Sequence, residues 1–292
     1  MELFNFMKKK EAPSFVANSI RKTLHKNLNF TALEQYKLLR TNLEFVLPQE
    51  NQCPVIGITS STRGEGKSTT AINLSYVLSE KGSSVLLIDG DLRLPSVAKK
   101  LEITPDFGLT DLLRGKTPKK EEFQTLLTEN WYILTSGKIP PNPSELLGSR
   151  KMESVLSELR KMFDYIVVDL PPVNIVSDAV SISKLIDGMV LVMREEYTGK
   201  KELDSCIRQL ELSNVKILGC VMTCSKRYGR AYGKYKRYKY YGRYGRYGRY
   251  GHYGHYGKYG YYGHHDEDEY YGAYEEAQAQ AEGQLQEKGQ KS

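Results

Sequence analysis

A short apolar run that leads directly into a glycine-rich loop constrains this 292-residue chain more than any other feature. Residues 55–59 are mostly apolar, as in a buried strand, and residues 67–80 then have the composition of a helix. Between them, residues 61–68 read Ser-Thr-Arg-Gly-Glu-Gly-Lys-Ser. This fits the phosphate-binding pattern G-x-x-x-x-G-K-[ST], except that Ser61 replaces the first glycine. Strand, loop and helix in this order predict a site for the phosphates of ATP.

The chemistry of the loop explains this prediction. Glycines let main-chain amides curl around a phosphate, and the helix N-terminus adds partial positive charge at the same place. Lys67 would reach the β- and γ-phosphate oxygens, and the Ser68 hydroxyl would bind Mg²⁺. An ordinary glycine-rich turn before a helix is the alternative. The residues predicted to bind the nucleotide are Gly64, Glu65, Gly66, Lys67, Ser68 and Thr69.

The rest of the core alternates short apolar runs with helical segments. Strands are predicted at 55–59, 85–88, 132–134, 165–168, 189–192 and 217–221, and helices at 67–80, 145–162, 179–185 and 200–212. The runs lack polar alternation, which is typical of strands buried on both faces of a parallel sheet. The helices supply the crossovers that parallel strands require. We therefore expect a doubly wound, mostly parallel α/β sheet with helices on both faces.

Two predicted strands end in acidic residues. Asp89 and Asp91 follow the run at 85–88, with Arg93 close behind, and Asp169 follows the run at 165–168. Ligands of open α/β sheets gather at this edge, and a carboxylate there is costly to bury unless a cation or hydrogen-bond donors meet it. Mg²⁺ would be such a cation. For a single aspartate, a helix cap or a surface turn is the commoner explanation.

Together these segments resemble the Walker A, A′ and B motifs of bacterial tyrosine kinases of the capsule and exopolysaccharide type, which are related to ParA/MinD-like ATPases. The resemblance extends from about Thr31 to Cys224. It implies catalytic roles for Lys67, Asp89, Asp91 and Arg93, and a metal site made of Ser68, Asp89 and Asp169. Asp89 would help to activate the tyrosine hydroxyl, while Asp91 and Arg93 would support the γ-phosphate site. The family often has Pro where Arg63 stands here, a change that leaves the phosphate cradle intact.

A change in composition divides the chain into an arm (1–30), an ATPase or kinase domain (31–225) and a tail (226–292). Residues 1–225 have 29 basic and 27 acidic residues, whereas residues 226–265 have eleven basic residues and no acid. Beyond them, eight acids stand against two lysines. Aliphatic residues are nearly absent from the repetitive Tyr-Gly-basic part of the tail, so the tail is predicted to be disordered.

The tail holds seventeen of the 22 tyrosines. Tethering them near an ATP site would give a self-phosphorylating kinase a high effective concentration of acceptor. The predicted acceptors are Tyr244, Tyr247, Tyr250, Tyr253, Tyr256, Tyr259, Tyr261, Tyr262, Tyr270, Tyr271 and Tyr274. Aromatic residues interleaved with Arg and Gly also suit single-stranded nucleic acid. The position of the tail behind three Walker segments favours the kinase, and no nucleic acid is expected as a partner.

A helix is predicted near residues 31–45. The resemblance implies that Glu34, Lys37 and Arg40 on this helix contact a neighbouring subunit in a ring of unphosphorylated chains. Lys37 stands where the family usually has Arg, so charge is kept but two-pronged hydrogen bonding is lost. A solvated helix face is the alternative interpretation.

The remaining expectations concern partners and location. The family implies a separate transmembrane activator or polysaccharide co-polymerase, control of polysaccharide polymerisation and export, and a tyrosine phosphatase. No signal peptide or membrane-spanning run is visible, so the expected location is the cytoplasm, peripheral at the inner membrane face. The four cysteines fit no disulfide or zinc pattern, and Cys220 and Cys224 are expected to pack near a strand end as thiols.

The competing function is that of a MinD/ParA-type ATPase that uses its tail only for binding. Such proteins typically carry an additional Lys at the start of the phosphate loop. This loop begins Ser60-Ser61-Thr62, which favours the kinase.

Overall fold

The computed structural model describes residues 28, 30–47, 53–104, 107–116, 124–125 and 130–225, with side chains placed for all of these except 124–125. Nearly all of the predicted arm and the whole predicted tail lie outside these residues, as do all eleven predicted acceptor tyrosines.

The described core is built on a seven-stranded sheet in the order β3-β4-β2-β5-β1-β6-β7. All neighbouring strands run parallel except β3, which is antiparallel to β4. The six predicted strands are present, and the mostly parallel sheet is confirmed. The strands are β1 Val55–Ser60, β2 Val85–Asp89, β3 Gln124–Thr125, β4 Trp131–Leu134, β5 Tyr165–Asp169, β6 Gly188–Arg194 and β7 Ile217–Thr223.

Helices cover both faces of the sheet. They are α1 Phe30–Val46, α2 Lys67–Ser79, α3 Val97–Leu101, α4 Leu109–Leu113, α5 Pro143–Leu147, α6 Arg150–Leu159, α7 Asp178–Ser181 and α8 Lys200–Leu212, with a 3₁₀ turn at Ser183–Leu185. Successive strand residues point to opposite faces. In β2, Val85 and Leu87 belong to the apolar core that includes residues of α1, α2 and α3, whereas Leu86 and Ile88 belong to the core on the other face, with residues of α4 to α8. This two-sided burial explains why the strands are almost continuously apolar.

The prediction of one helix over 145–162 is wrong. The first helix, α5, ends before Gly148. A second helix, α6, follows Ser149, whose hydroxyl accepts a hydrogen bond from the Met152 N–H at 3.2 Å and so caps the new helix. Such a cap satisfies a donor that a new helix would otherwise leave unpaired. α3 and α4 were not predicted, because five-residue helices are too short to show a periodic pattern.

The four cysteines are free thiols. Cys53 and Cys206 are buried, but Cys220 and Cys224 are exposed, so the expectation that the latter two pack is wrong. Among the described residues, no helix combines the length and the apolar character needed to cross a bilayer.

Candidate functional site

The phosphate loop connects β1 to α2 at the carboxyl edge of the sheet. Gly64 and Gly66 have φ angles of 76° and 97°, which L side chains rarely adopt. A side chain at Gly66 would also approach the Thr223 Cγ2 at 3.1 Å. Both glycines are therefore required by the shape of the loop. Thr69, predicted to bind nucleotide, lies in the first turn of α2 and is half-buried.

Glu65 has a buried side chain that holds the loop together. Its carboxylate accepts hydrogen bonds from the Ser61 hydroxyl at 2.8 Å, the Thr62 N–H at 2.9 Å and the Thr198 hydroxyl. The Thr223 hydroxyl donates to its main-chain oxygen at 2.7 Å. Glu65 therefore links the loop to the ends of β6 and β7. The sequence pattern, which placed Glu65 among the nucleotide ligands, does not reveal this bracing by its side chain.

Lys67 begins α2 and points at two of the predicted acids. Its ammonium lies 3.0 Å from Asp91 Oδ2 and 3.6 Å from Asp169 Oδ1. Burial alone would lower the pKa of Lys67, but the carboxylates of Asp169 and Asp91 outweigh burial, so the pKa lies above its usual range. Lys67 is thus a fixed cation at the mouth of the phosphate loop.

Asp89 and Asp169 lie side by side at the ends of β2 and β5, paired in register and fully buried. Asp89 Oδ2 accepts hydrogen bonds from the Ser96 N–H at 3.1 Å and the Val97 N–H at 3.0 Å. Within the described residues, Asp89 Oδ1 and both oxygens of Asp169 accept no hydrogen bond, and Lys67 approaches Asp169 Oδ1 only as an ion pair at 3.6 Å. Three buried carboxylate oxygens are therefore left for a ligand outside the protein.

The pKa values of Asp89 and Asp169 reflect this burial and crowding of charges. Burial, followed by the charges of Asp169 and Asp91, raises the pKa of Asp89 well above its usual range. Burial also raises the pKa of Asp169, and the neighbouring Lys67 and Ser68 oppose that rise. Carboxylate and hydroxyl oxygens are ligands that Mg²⁺ prefers, and a divalent cation would offset the cost of burying these charges. Ser68, Asp89 and Asp169 therefore fit a magnesium ion.

Arg93 is engaged away from this cluster. Its guanidinium donates to both carboxylate oxygens of Asp178 at 3.0 Å and to the Ser144 hydroxyl at 3.2 Å. The structure thus brings Lys67 and Asp91 together but ties Arg93 to residues that the sequence did not single out. Asp178 stands at the start of a short helix, where an aspartate looks like an ordinary helix-terminal residue.

The residues predicted to contact another subunit lie on α1. Lys37 forms an ion pair with Glu34 within the helix at 2.9 Å, and Arg40 donates to the Val77 carbonyl at 2.6 Å. Arg40 therefore already fastens α1 to α2 within one chain. Contact with a second subunit stays a prediction.

β7 ends at the same edge of the sheet as the phosphate loop, because it runs parallel to β1 and β6. Its last residue, Thr223, is the one that bonds to Glu65. The last described residues of the chain, which follow β7, therefore lie beside the phosphate loop.

Comparison with known proteins agrees with this geometry. Residues 53–211 match the family model described as an AAA domain. The tyrosine-protein kinase YwqD of Bacillus subtilis is 37% identical over 230 residues, which is 78% of this chain and 95% of YwqD. The tyrosine-protein kinase CpsD of Streptococcus pneumoniae serotype 4 is 36% identical over 65% of this chain and 83% of CpsD.

Solved structures lead to the same family. The chimerical protein CapA2B2 superposes with a TM-score of 0.63 at 32% identity, covering 70% of this chain and 89% of the chimera. The kinase domain of the Escherichia coli tyrosine kinase ETK gives 0.61 at 30%, covering 67% and 78%. MinD of Pyrococcus horikoshii, complexed with Mg-ADP, gives 0.50 at 27%, covering 60% and 73%. With its P-loop, paired acids and doubly wound sheet, the chain belongs to the bacterial tyrosine-protein kinases, a branch of the P-loop ATPases.

Proposed function

We propose that this protein uses ATP and Mg²⁺ to phosphorylate tyrosines of its own C-terminal tail. The carrying observation is that the chain leaves β7 beside the phosphate loop, with Thr223 bonded to Glu65. The next 67 residues hold seventeen tyrosines. A site that keeps three buried carboxylate oxygens for a cation, next to a fixed lysine, suits phosphoryl transfer.

Each residue of the site would have its own role in such a transfer. The tyrosine oxygen would attack the γ-phosphorus as the bond to the β–γ bridging oxygen breaks and ADP leaves. Lys67 would exchange its contact with Asp91 for phosphate oxygens, and Asp89 would take the hydroxyl proton, as the family resemblance suggests. Ser68, Asp89 and Asp169 would hold Mg²⁺, which supplies charge neutralisation between the phosphates. Positioning and electrostatics account for most of the acceleration in reactions of this kind.

Distance permits the transfer within a chain or between chains. β7 is three strands from β5, roughly 14 Å at the usual strand spacing. Tyr244 lies 19 residues beyond Ser225, and an extended chain of that length reaches roughly 60 Å. We propose transfer between neighbouring subunits of a ring, with Glu34, Lys37 and Arg40 at the contact. Charge accumulating on crowded tails would then loosen the ring.

Comparing full-length protein with a chain truncated after Ser225 separates the kinase from an ATPase with a binding tail. Both should bind ATP, since the phosphate loop is intact in each. Only the full-length chain should gain phosphotyrosine when incubated with ATP and Mg²⁺. Full-length protein that hydrolyses ATP without gaining phosphotyrosine would instead support the ATPase function.

The family also suggests a regulatory setting. We propose that a separate transmembrane protein activates the kinase from the inner membrane face, that a tyrosine phosphatase reverses the modification, and that the cycle controls polysaccharide polymerisation and export. Adding the cytoplasmic peptide of that activator should raise the rate of tail phosphorylation at fixed enzyme concentration. Full activity of the isolated monomer, with no response to the peptide, would contradict activation.

A further inference from the structure

The two loops that follow the acid-bearing strands are joined by a buried ion pair. Arg93, in the loop after β2, has a side chain that is 15% exposed, and Asp178, at the end of the loop after β5, is completely buried. The guanidinium meets the carboxylate with two hydrogen bonds of 3.0 Å. The Ser144 hydroxyl, at the start of α5, donates to the same carboxylate. We call Arg93, Ser144 and Asp178 the latch.

The loop on the Arg93 side directly shapes the acidic cluster. Its Leu94 N–H donates to Asp91 Oδ1 at 3.0 Å, while Asp91 Oδ2 faces Lys67 at 3.0 Å. Further along, the Ser96 and Val97 N–H groups bind Asp89 Oδ2 and leave Oδ1 open. The orientation of both aspartates therefore depends on where this loop lies.

The opposite loop directly follows Asp169, the last residue of β5. Its Pro171 carbonyl accepts a hydrogen bond from the Thr59 hydroxyl at 2.8 Å, which fixes its first residues to β1. Farther on, Ile175 and Val176 pack with Leu94 of the first loop in a small apolar cluster separate from the main core. The apolar contacts hold the two loops together but do not fix their relative orientation. The latch adds a bidentate arginine–carboxylate contact, which has a defined geometry.

We infer that Asp178 is a positioning residue for phosphoryl transfer. Its buried carboxylate is taken up by Arg93 and Ser144, so it acts through them. Through Arg93 it sets the loop that orients Asp91 toward Lys67 and that holds Asp89 where it would bind the metal. A buried ion pair is in itself weak evidence for stability, but its geometry can specify one arrangement of the chain. The inference rests on the proposed use of ATP and Mg²⁺ at this site, and not on which tyrosines accept phosphate.

The chain offers a matched control at the other edge of the sheet. Arg160 and Asp187 form a second largely buried pair at 2.8 Å, and Asp187 also accepts a hydrogen bond from the Val55 N–H where β1 begins. Asp187→Asn and Asp178→Asn each remove one charge from an Arg–Asp pair. Both should lower the Tm, because each leaves an arginine partly buried without its partner.

The two variants should differ in their response to Mg²⁺. We would measure binding of a fluorescent ADP over a series of Mg²⁺ concentrations, and the ATP turnover number at saturating nucleotide. Removing residues that orient metal ligands typically costs about 10–100-fold in metal affinity or activity. Asp178→Asn should raise the Mg²⁺ concentration at half-saturation and lower kcat in that range, with ADP binding in EDTA unchanged. Asp187→Asn should leave all three quantities at wild-type values, and Asp178→Glu should restore part of the loss.

A less disruptive substitution keeps the inference testable if Asp178→Asn does not fold. Ser144→Ala removes a neutral donor and leaves the Arg93–Asp178 charges paired, so a smaller shift in the same direction is expected. Equal effects of Asp178→Asn and Asp187→Asn on Mg²⁺ dependence, or wild-type Mg²⁺ dependence in Ser144→Ala and Asp178→Asn, would overturn the inference. ATP turnover gives the readout even if no tyrosine is modified, so failure of the tail proposal would be recognised separately.

Discussion

Asp89 is completely buried, and within the part of the chain that the structure describes only its Oδ2 accepts hydrogen bonds. Its pKa stands well above the ordinary 3.8, chiefly because of burial and then because of Asp169 and Asp91. A raised folded-state pKa means that the folded protein holds the proton more tightly than the unfolded chain. The resulting stability is fully present below pH 3.8 and is lost as the pH rises through the folded pKa.

Replacing this carboxyl by an amide should therefore separate stability from activity. Asp89→Asn keeps an oxygen for Ser96 and Val97 and removes a charge that is costly to bury. In the absence of Mg²⁺ and nucleotide, its Tm should exceed that of wild type by an amount that grows as the pH rises from about 4 to 8. For a domain of this size, each kcal/mol corresponds to about 2–4 °C.

The same variant should lose kinase activity, because in the proposed mechanism Asp89 is both a ligand of Mg²⁺ and the proton acceptor for the tyrosine hydroxyl. In the wild type, Mg²⁺ and protons compete for the same oxygens, so Mg²⁺ affinity should rise with pH over the window in which the Tm difference grows. Thermal unfolding with and without Mg²⁺ measures both effects. A variant less stable than wild type at pH 8, in metal-free buffer, would show that the buried charge is already compensated within the protein.

The individual strands and helices show how much of the secondary structure the sequence predicts. The β-branched runs predicted six strands to within one or two residues at each end, because burial on both faces leaves few polar residues to confuse the pattern. The glycines of the phosphate loop were also predictable from the local sequence, because the turn needs residues with positive φ. The break at Gly148–Ser149 depends on one cap inside a continuous amphipathic run, and so it was missed.

Contacts between distant elements were not predictable. Arg93 and Asp178 are 85 residues apart, and each alone is a common surface residue type. Glu65 was assigned to the nucleotide because of its position in the motif, whereas its side chain braces the loop against Thr198. The parallel pairing of β2 with β5, and of β1 with β6, brings these partners together, and a linear pattern contains no information about that pairing.

α1 provides a prediction at this scale. Lys37 lies in a half-exposed pair within the helix, whereas Arg40 fastens α1 to the Val77 carbonyl on α2. Lys37→Ala should leave stability within about 0.5 kcal/mol, because exposed pairs of this kind contribute little. Arg40→Ala should cost about 1–3 kcal/mol through a lost charged hydrogen bond.

If Glu34, Lys37 and Arg40 also hold the ring together, the effects of the substitutions on assembly will not follow their effects on stability. Lys37→Ala alone should weaken the oligomer seen by sedimentation velocity, and the Lys37→Ala, Arg40→Ala double variant should be monomeric with slow tail phosphorylation. Nucleotide affinity should be unchanged in both. An oligomer of wild-type size in the double variant would show that Lys37 and Arg40 do not form the subunit contact.

At the level of the whole molecule, the proposed function needs an ATP site and a tyrosine-rich tail that follows β7 in the sequence. The most direct measurement mixes two chains, neither of which can label its own tail. One carries Lys67→Met and keeps the tail, and the other has an intact site but ends at Ser225. After incubation with ATP and Mg²⁺, mass spectrometry of the tail-bearing chain should show phosphate on several of its tyrosines, including residues between Tyr244 and Tyr274. An unmodified tail in the mixture, together with wild-type labelling at a rate independent of protein concentration, would contradict transfer between subunits. A wild-type chain that turns over ATP with no phosphate on any tail tyrosine would contradict the kinase function itself.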